Sequence, residues 1–158
     1  GIYKDGEGIL GYIYDVVLDE LYSAHKGHGA FLNDERIPFL EKTSIQEAII
    51  GMNASWVVPN DHIENDGLIQ LVRDVRGIRS YGSAALELAY VATGRIDAYM
   101  SMRLSPWDVA GGMVIASEVG AVATNLRGEP LKMLGTDTFF VARDGLHQQI
   151  LTNYIKLK

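Results

Sequence analysis

The chain contains no cysteine, which excludes disulfides and thiolate metal sites and leads us to expect a reducing, cytoplasmic setting. No stretch approaches the ~20 apolar residues needed to cross a bilayer, and no signal-peptide pattern is present. Clusters of lysine and arginine are missing too. Fourteen basic residues against 20 acidic ones leave a net charge of −6, scattered along the chain rather than blocked. Such a surface argues against nucleic acid or an anionic membrane as partner. An anionic substrate would need local positive charge, from a bound metal or a ring of backbone N–H groups. Repeats and low-complexity linkers are absent. Also missing is an initial Met: Gly1-Ile2-Tyr3-Lys4-Asp5-Gly6 runs at once into strand-like sequence, as expected of a truncated or processed chain.

What remains is an ordinary globular composition, 47% hydrophobic and 22% charged over 158 residues, enough for one domain with a real core. Residues 9–17 and 20–24 are rich in Ile, Tyr and Val around a Leu18-Asp19 turn and read as an antiparallel pair. Ala30-Phe31-Leu32 and the turn dipeptide Asn33-Asp34 extend this into a β-meander. A helical turn is expected at 44–48 and a strand at 49–53. From residue 59 onward, helices alternate with strands. Leu68, Leu71, Val72 and Val75 have helical spacing within 66–76, and a short strand at 78–81 ends at Gly82. Ser83 caps a helix through Thr93 that Gly94 terminates. A strand follows at 96–100, then a helix from Ser105 through Glu118 stopped by Gly120. Strands at 121–124 and 138–142 precede a last amphipathic helix capped by Asp144 and bearing Leu146, Ile150, Leu151, Tyr154 and Ile155.

Strands first, then alternating helix and strand, predict an α/β fold, a layered α+β sandwich. We expect residues 1–55 to hold the meander and a connecting strand belonging to an upstream antiparallel sheet. Residues 56–158 form a carboxy-terminal α/β subdomain.

Two segments could carry chemistry, and each also has a purely structural reading. In Ser105-Pro106-Trp107-Asp108-Val109-Ala110-Gly111-Gly112, Ser105 suits an N-cap, Pro106 the first helical position and Asp108 the third, a capping-box arrangement. The same placement makes Asp108 a well-oriented ligand for a hard cation, and Mg²⁺ takes one or two protein carboxylates with water and phosphate completing its shell. Gly82-Ser83-Ala84-Ala85 is either a capped helix start or a place where free N–H groups meet an oxygen-rich ligand. His25, His28, His62 and His147 lack zinc-pair spacing. Ser83 has no nucleophile-elbow context, and the glycines at 6, 8 and 11 precede no helix, so they form no dinucleotide fingerprint.

In order along the chain stand 27–33 (Gly-His-Gly-Ala-Phe-Leu-Asn), 77–85 (Gly-Ile-Arg-Ser-Tyr-Gly-Ser-Ala-Ala), 91–99 (Val-Ala-Thr-Gly-Arg-Ile-Asp-Ala-Tyr), 106–112 (Pro-Trp-Asp-Val-Ala-Gly-Gly) and 115–121 (Ile-Ala-Ser-Glu-Val-Gly-Ala). This succession resembles the inositol monophosphatase family across nearly the whole chain. The resemblance implies the carboxy-terminal part of an α/β/α/β/α sandwich and a Mg²⁺-dependent phosphomonoesterase, cytoplasmic and homodimeric, acting on a small phosphorylated substrate. It makes Asp108 a metal ligand beside the leaving-group oxygen and Gly82, Ser83 and Ala84 the loop contacting sugar hydroxyls. The family's upstream glutamate and Asp-Pro-x-Asp-Gly-Thr segment do not occur in these residues, so no catalytic residue is assigned here and the chain alone is expected to be inactive. Many inositol-hydrolysing members carry glutamate at the position of Ser101, seven residues before Asp108. Serine is shorter and uncharged, and Arg103 stands close by. Ser101 and Arg103 are therefore candidate substrate contacts, with inositol monophosphate, a fructose bisphosphate, a 3′-nucleotide and NADP all open as the ester. The alternative is a non-catalytic sugar-phosphate-binding or interaction module. An Asp-Pro-x-Asp-Gly-Thr segment upstream of Gly1 would favour the enzyme.

Overall fold

The computed structural model describes residues 1–61, 63–131 and 134–158. β1 (Ile2–Lys4), β2 (Glu7–Asp15), β3 (Glu20–His25), β4 (Gly29–Leu32) and β5 (Glu35–Arg36) pair in sequence order as an antiparallel meander. Asp5-Gly6 and Asn33-Asp34 turn the chain with positive φ, 53° and 82° in the first and 46° and 68° in the second. Glycine, asparagine and aspartate tolerate that backbone better than other residues. Along β2, Ile13 is buried while Tyr12 and Tyr14 stand exposed, so this part of the meander packs on one face. The strand expected over 9–17 ends at Asp15. Its carboxylate accepts hydrogen bonds from the N–H groups of Val17 (2.9 Å) and Leu18 (3.2 Å) and so begins the turn early.

The second sheet has the order β7-β6-β8-β10-β9, from β6 (Ile49–Gly51), β7 (Gly77–Arg79), β8 (Ala98–Leu104), β9 (Ala121–Thr124) and β10 (Asp137–Arg143). β6 runs parallel to both β7 and β8, whereas β10 runs antiparallel to β8 and β9. The strand at 49–51, expected with the first sheet, therefore belongs to the second. Ile50 and Gly51 are buried, and a short strand covered on both faces suits an interior position with parallel neighbours better than a solvent-facing meander.

Four helices complete the described residues: α1 (Asn65–Asp74), α2 (Ala84–Ala92), α3 (Pro106–Glu118) and α4 (Leu146–Tyr154). α2 and α3 lie between the sheets. Ala89, Ala92, Ile115 and Val119 pack against Ile13, Tyr22 and Ala30 of the meander, and Leu88, Val91, Val109 and Ala116 against Tyr99, Phe139 and Val141 of the second sheet. The other face of that sheet, with Ile50, Met100, Met102 and Phe140, is covered by Leu68 and Leu71 of α1 and by Leu146, Ile150 and Tyr154 of α4. The layers are thus β/α/β/α, the layered α/β sandwich that the order of elements predicts. α3 approaches the meander so closely that a Cβ on Gly11 would fall 2.2 Å from the Gly111 carbonyl oxygen. No side chain fits there.

Two further local expectations change, and one short element has no counterpart in the sequence expectations. Residues 45–47 form a turn without a helix, and a 3-10 turn at Ala54–Val57 follows β6, with the Asn53 side chain accepting from Ser55 N–H. The N-cap of α4 is Gly145, at φ 80°, rather than Asp144. The tight passage out of β10 requires a left-handed residue, which glycine adopts without a steric penalty. Among the described residues no helix is long and apolar enough to cross a membrane.

Candidate active site

Because β7, β6 and β8 are parallel neighbours, their carboxy ends lie together, and the chain leaves β7 and β8 directly into the N-termini of α2 and α3. That edge of an α/β sheet is where ligand sites collect, with unpaired N–H groups and the positive helix ends facing the opening. A cleft of about 290 Å³ opens there.

Gly82, Ala84, Ser101 and Asp108 all line this cleft, although 24 residues separate Ala84 from Asp108 in sequence. Gly82 sits at φ 77°, with open space where a side chain would be. Ser83 and Arg103 are not among the lining residues. The Ser83 hydroxyl accepts from Leu86 N–H at 3.4 Å as the α2 N-cap, and Arg103 is exposed on the last part of β8. Ser101 is buried. Its hydroxyl lies 3.3 Å from the Arg103 carbonyl oxygen, to which it donates.

Asp108 is half-buried in the first turn of α3, and its Oδ2 accepts from Ser105 N–H at 2.8 Å. The capping role and the cleft-facing role coexist, since one oxygen holds the helix start and the carboxylate still lines the opening. Its donor chemistry suits a hard divalent cation. The set is incomplete, however, because among the described residues no group of three or more His, Asp or Glu could hold a metal. The histidines stand elsewhere. His25 and His28 stack ring on ring, 4.3 Å apart. His147 is buried with Nε2 2.9 Å from the Thr124 hydroxyl, and burial pulls its pKa down. His62 lies outside the described residues.

Two further residues of the cleft have no counterpart in the sequence expectations. Glu87, on the buried side of α2, is 4% exposed, and burial pushes its pKa up. Tyr99 on β8 is also buried, and its phenol is pushed well up, first by burial and then by the Glu87 charge beside it. A single acidic residue in the apolar run Ala84-Ala85-Leu86-Glu87-Leu88-Ala89 was the available signal.

The sequence model of the inositol monophosphatase family matches residues 1–156. An inositol-1-monophosphatase of Bacillus subtilis is 50% identical over 155 residues, covering 98% of this chain and 58% of its own length. The staphylococcal IMPase-II, solved with inositol monophosphate and with 2′AMP, superposes with a TM-score of 0.93 in both complexes at 43% and 44% identity, covering 98% of this chain and 59% of that one. A Nus factor, SuhB of Haemophilus influenzae, is 37% identical over 114 residues, 72% of this chain and 43% of its own length. The chain thus spans about three-fifths of the B. subtilis and staphylococcal proteins it matches.

Proposed function

The chain belongs to the inositol monophosphatase family, and we propose that the complete protein is a Mg²⁺-dependent phosphomonoesterase in which these residues form one metal ligand and the substrate-side wall. The observation that carries this reading is the convergence of Gly82, Ala84, Ser101 and Asp108 on one cleft at the carboxy ends of parallel strands. Asp108 would hold the metal by the oxygens of its carboxylate, together with ligands from outside these residues. When bound, Mg²⁺ supplies electrostatic stabilisation for the charge that develops as the ester bond breaks. The chain's own contribution is to orient. Helix α3 and the Ser105 N–H hold the Asp108 carboxylate in place, while the Gly82–Ala84 backbone and Ser101 meet the hydroxyl-bearing part of the ester. Ser83 supports that loop as the cap of α2, and Arg103 lies beyond the lining, where an ester bearing a second negative charge could meet it. The relatives support a small phosphorylated substrate, since inositol monophosphate and 2′AMP are bound in the staphylococcal protein. A homodimer in the cytoplasm, without a nucleic-acid or membrane partner, belongs to the same proposal. On its own the chain is inactive, having a single carboxylate where a hard cation needs several oxygen ligands.

The test is phosphate release from inositol monophosphate by the complete protein, with Mg²⁺ and after chelation. Activity that disappears on chelation and returns with Mg²⁺ is expected; activity indifferent to the chelator overturns the reading. A second reading, a sugar-phosphate-binding or interaction module, is favoured by the similarity to a Nus factor. It predicts a complete protein that binds inositol monophosphate and releases no phosphate.

A further inference from the structure

Glu87 has no part in the reading above, yet it lines the cleft where α2, β8 and the loop after β7 meet. Its Oε1 accepts from Tyr81 N–H at 3.1 Å, reaching back across the turn that carries Gly82. Tyr99 of β8 lines the cleft beside it, and after burial the Glu87 charge is what holds the phenol's pKa up. From the third side, a Cβ on Gly51 of β6 would come 3.2 Å from Tyr99 Cδ2 and 3.4 Å from Glu87 Oε1. The carboxyl therefore lies buried among β6, β8 and the entry to α2, where only glycine at position 51 leaves it room. Burying a carboxyl in an otherwise apolar helix is costly, and an apolar residue would pack α2 more cheaply. What an apolar residue would not do is accept the Tyr81 N–H and so fix the backbone of the Gly82 turn.

We propose that Glu87 is a positioning residue that sets selectivity for hydroxyl-rich phosphate esters. Through Tyr81 it holds the Gly82 turn at a fixed depth, and it fixes that turn beside Tyr99 and Ser101, which line the β8 side of the cleft. The wall so built offers uncharged donors and acceptors, the chemistry that recognises the hydroxyls of a polyol or a ribose. The proposal rests on the phosphatase reading and deepens it.

The experiment compares two substrates of the complete protein: inositol monophosphate, and p-nitrophenyl phosphate, whose leaving group has no aliphatic hydroxyl. Glu87→Ala is expected to raise KM for inositol monophosphate about tenfold, the size of one lost buried hydrogen bond to a charged group. On p-nitrophenyl phosphate its KM should move by less than about twofold, and kcat on either substrate should fall far less than KM rises. Glu87→Gln keeps an acceptor for Tyr81 N–H and should restore most of the selectivity. Amide exchange at Tyr81 should accelerate about tenfold in Glu87→Ala and stay slow in Glu87→Gln. Equal changes on both substrates, or a Tyr81 amide as protected in Glu87→Ala as in the parent, overturn the proposal. If Glu87→Ala does not fold, Tyr99→Phe replaces it, and an unchanged KM for inositol monophosphate in that variant is the negative result. If the parent hydrolyses neither ester, the phosphatase reading fails and the Tyr81 exchange alone decides the positioning role.

Discussion

Glu118, in the last turn of α3, accepts a 2.7 Å hydrogen bond from the backbone N–H of Gly29, and its other oxygen accepts one of 2.8 Å from Gly27. Two signature segments nearly 90 residues apart, Gly-His-Gly and Glu-x-Gly, are thereby one device. The glutamate closes the β3–β4 turn from the helix that runs across the meander, and Gly29 takes the left-handed backbone, φ 91°, that aims its N–H at the carboxylate.

Replacing Glu118 by Ala should lower unfolding free energy by about 1–3 kcal/mol, because two backbone donors lose a charged acceptor. Glu118→Gln, which keeps one acceptor oxygen, should lose less. Urea unfolding checks both, and equal stability of parent and Glu118→Ala would make the contact incidental.

A second link joins the same sheet to the helical layer. Arg95 forks onto Glu20 with contacts of 2.6 and 2.7 Å and also donates to the Tyr22 hydroxyl at 3.0 Å. First the Arg95 hydrogen bonds and then the Tyr22 hydroxyl hold the Glu20 pKa down, to about 2. A carboxylate with a depressed native pKa contributes stability above its unfolded value, about 4.3, that is lost as pH falls toward the native one. Melting temperatures between pH 5 and pH 2 should therefore fall more steeply for the parent than for Arg95→Met. Parallel curves would mean that the pair is screened by solvent.

Glu87 has the opposite sign. Its native pKa is raised by burial, so the folded state binds the proton more tightly than the unfolded chain, and this group's contribution declines as pH climbs from the unfolded value through the native one. Glu87→Gln, unable to ionise, should be more stable than the parent at pH 7, and the gap should close below about pH 4.3. Denaturant melts at pH 4 and pH 7 test this, and a gap that widens in acid contradicts it.

Asp108→Asn separates capping from catalysis in the complete protein. The amide oxygen can still accept from Ser105 N–H, so stability should change by less than about 1 kcal/mol. Mg²⁺-dependent phosphate release should fall roughly 10²–10³-fold, the usual consequence of losing one electrostatic contact to a developing charge. A variant that melts early yet keeps its turnover would make Asp108 a capping residue only.

Taken alone, the sequence determined the features whose causes are local. The turn at Asn33-Asp34, the Ser83 cap, the stops at Gly94 and Gly120 and the Pro106 helix start each depend on what a few neighbouring residues allow the backbone to do. The ordered segments around Trp107-Asp108 were legible through their resemblance to the inositol monophosphatase family. Tertiary structure alone decided which sheet β6 joins, because Ile49-Ile50-Gly51 is compatible with either sheet until β7 and β8 flank it. It alone revealed that Gly11 and Gly111 are small because β2 and α3 nearly touch, and that Glu118 binds the turn at Gly27 and Gly29. Glu87 is the sharpest case. One acid in an apolar helix has no reading until the Tyr81 N–H, from the loop after β7, and the Tyr99 ring, from β8, are placed beside it. A buried polar group is defined by its partners, and the packing of elements against one another decides which partners reach it.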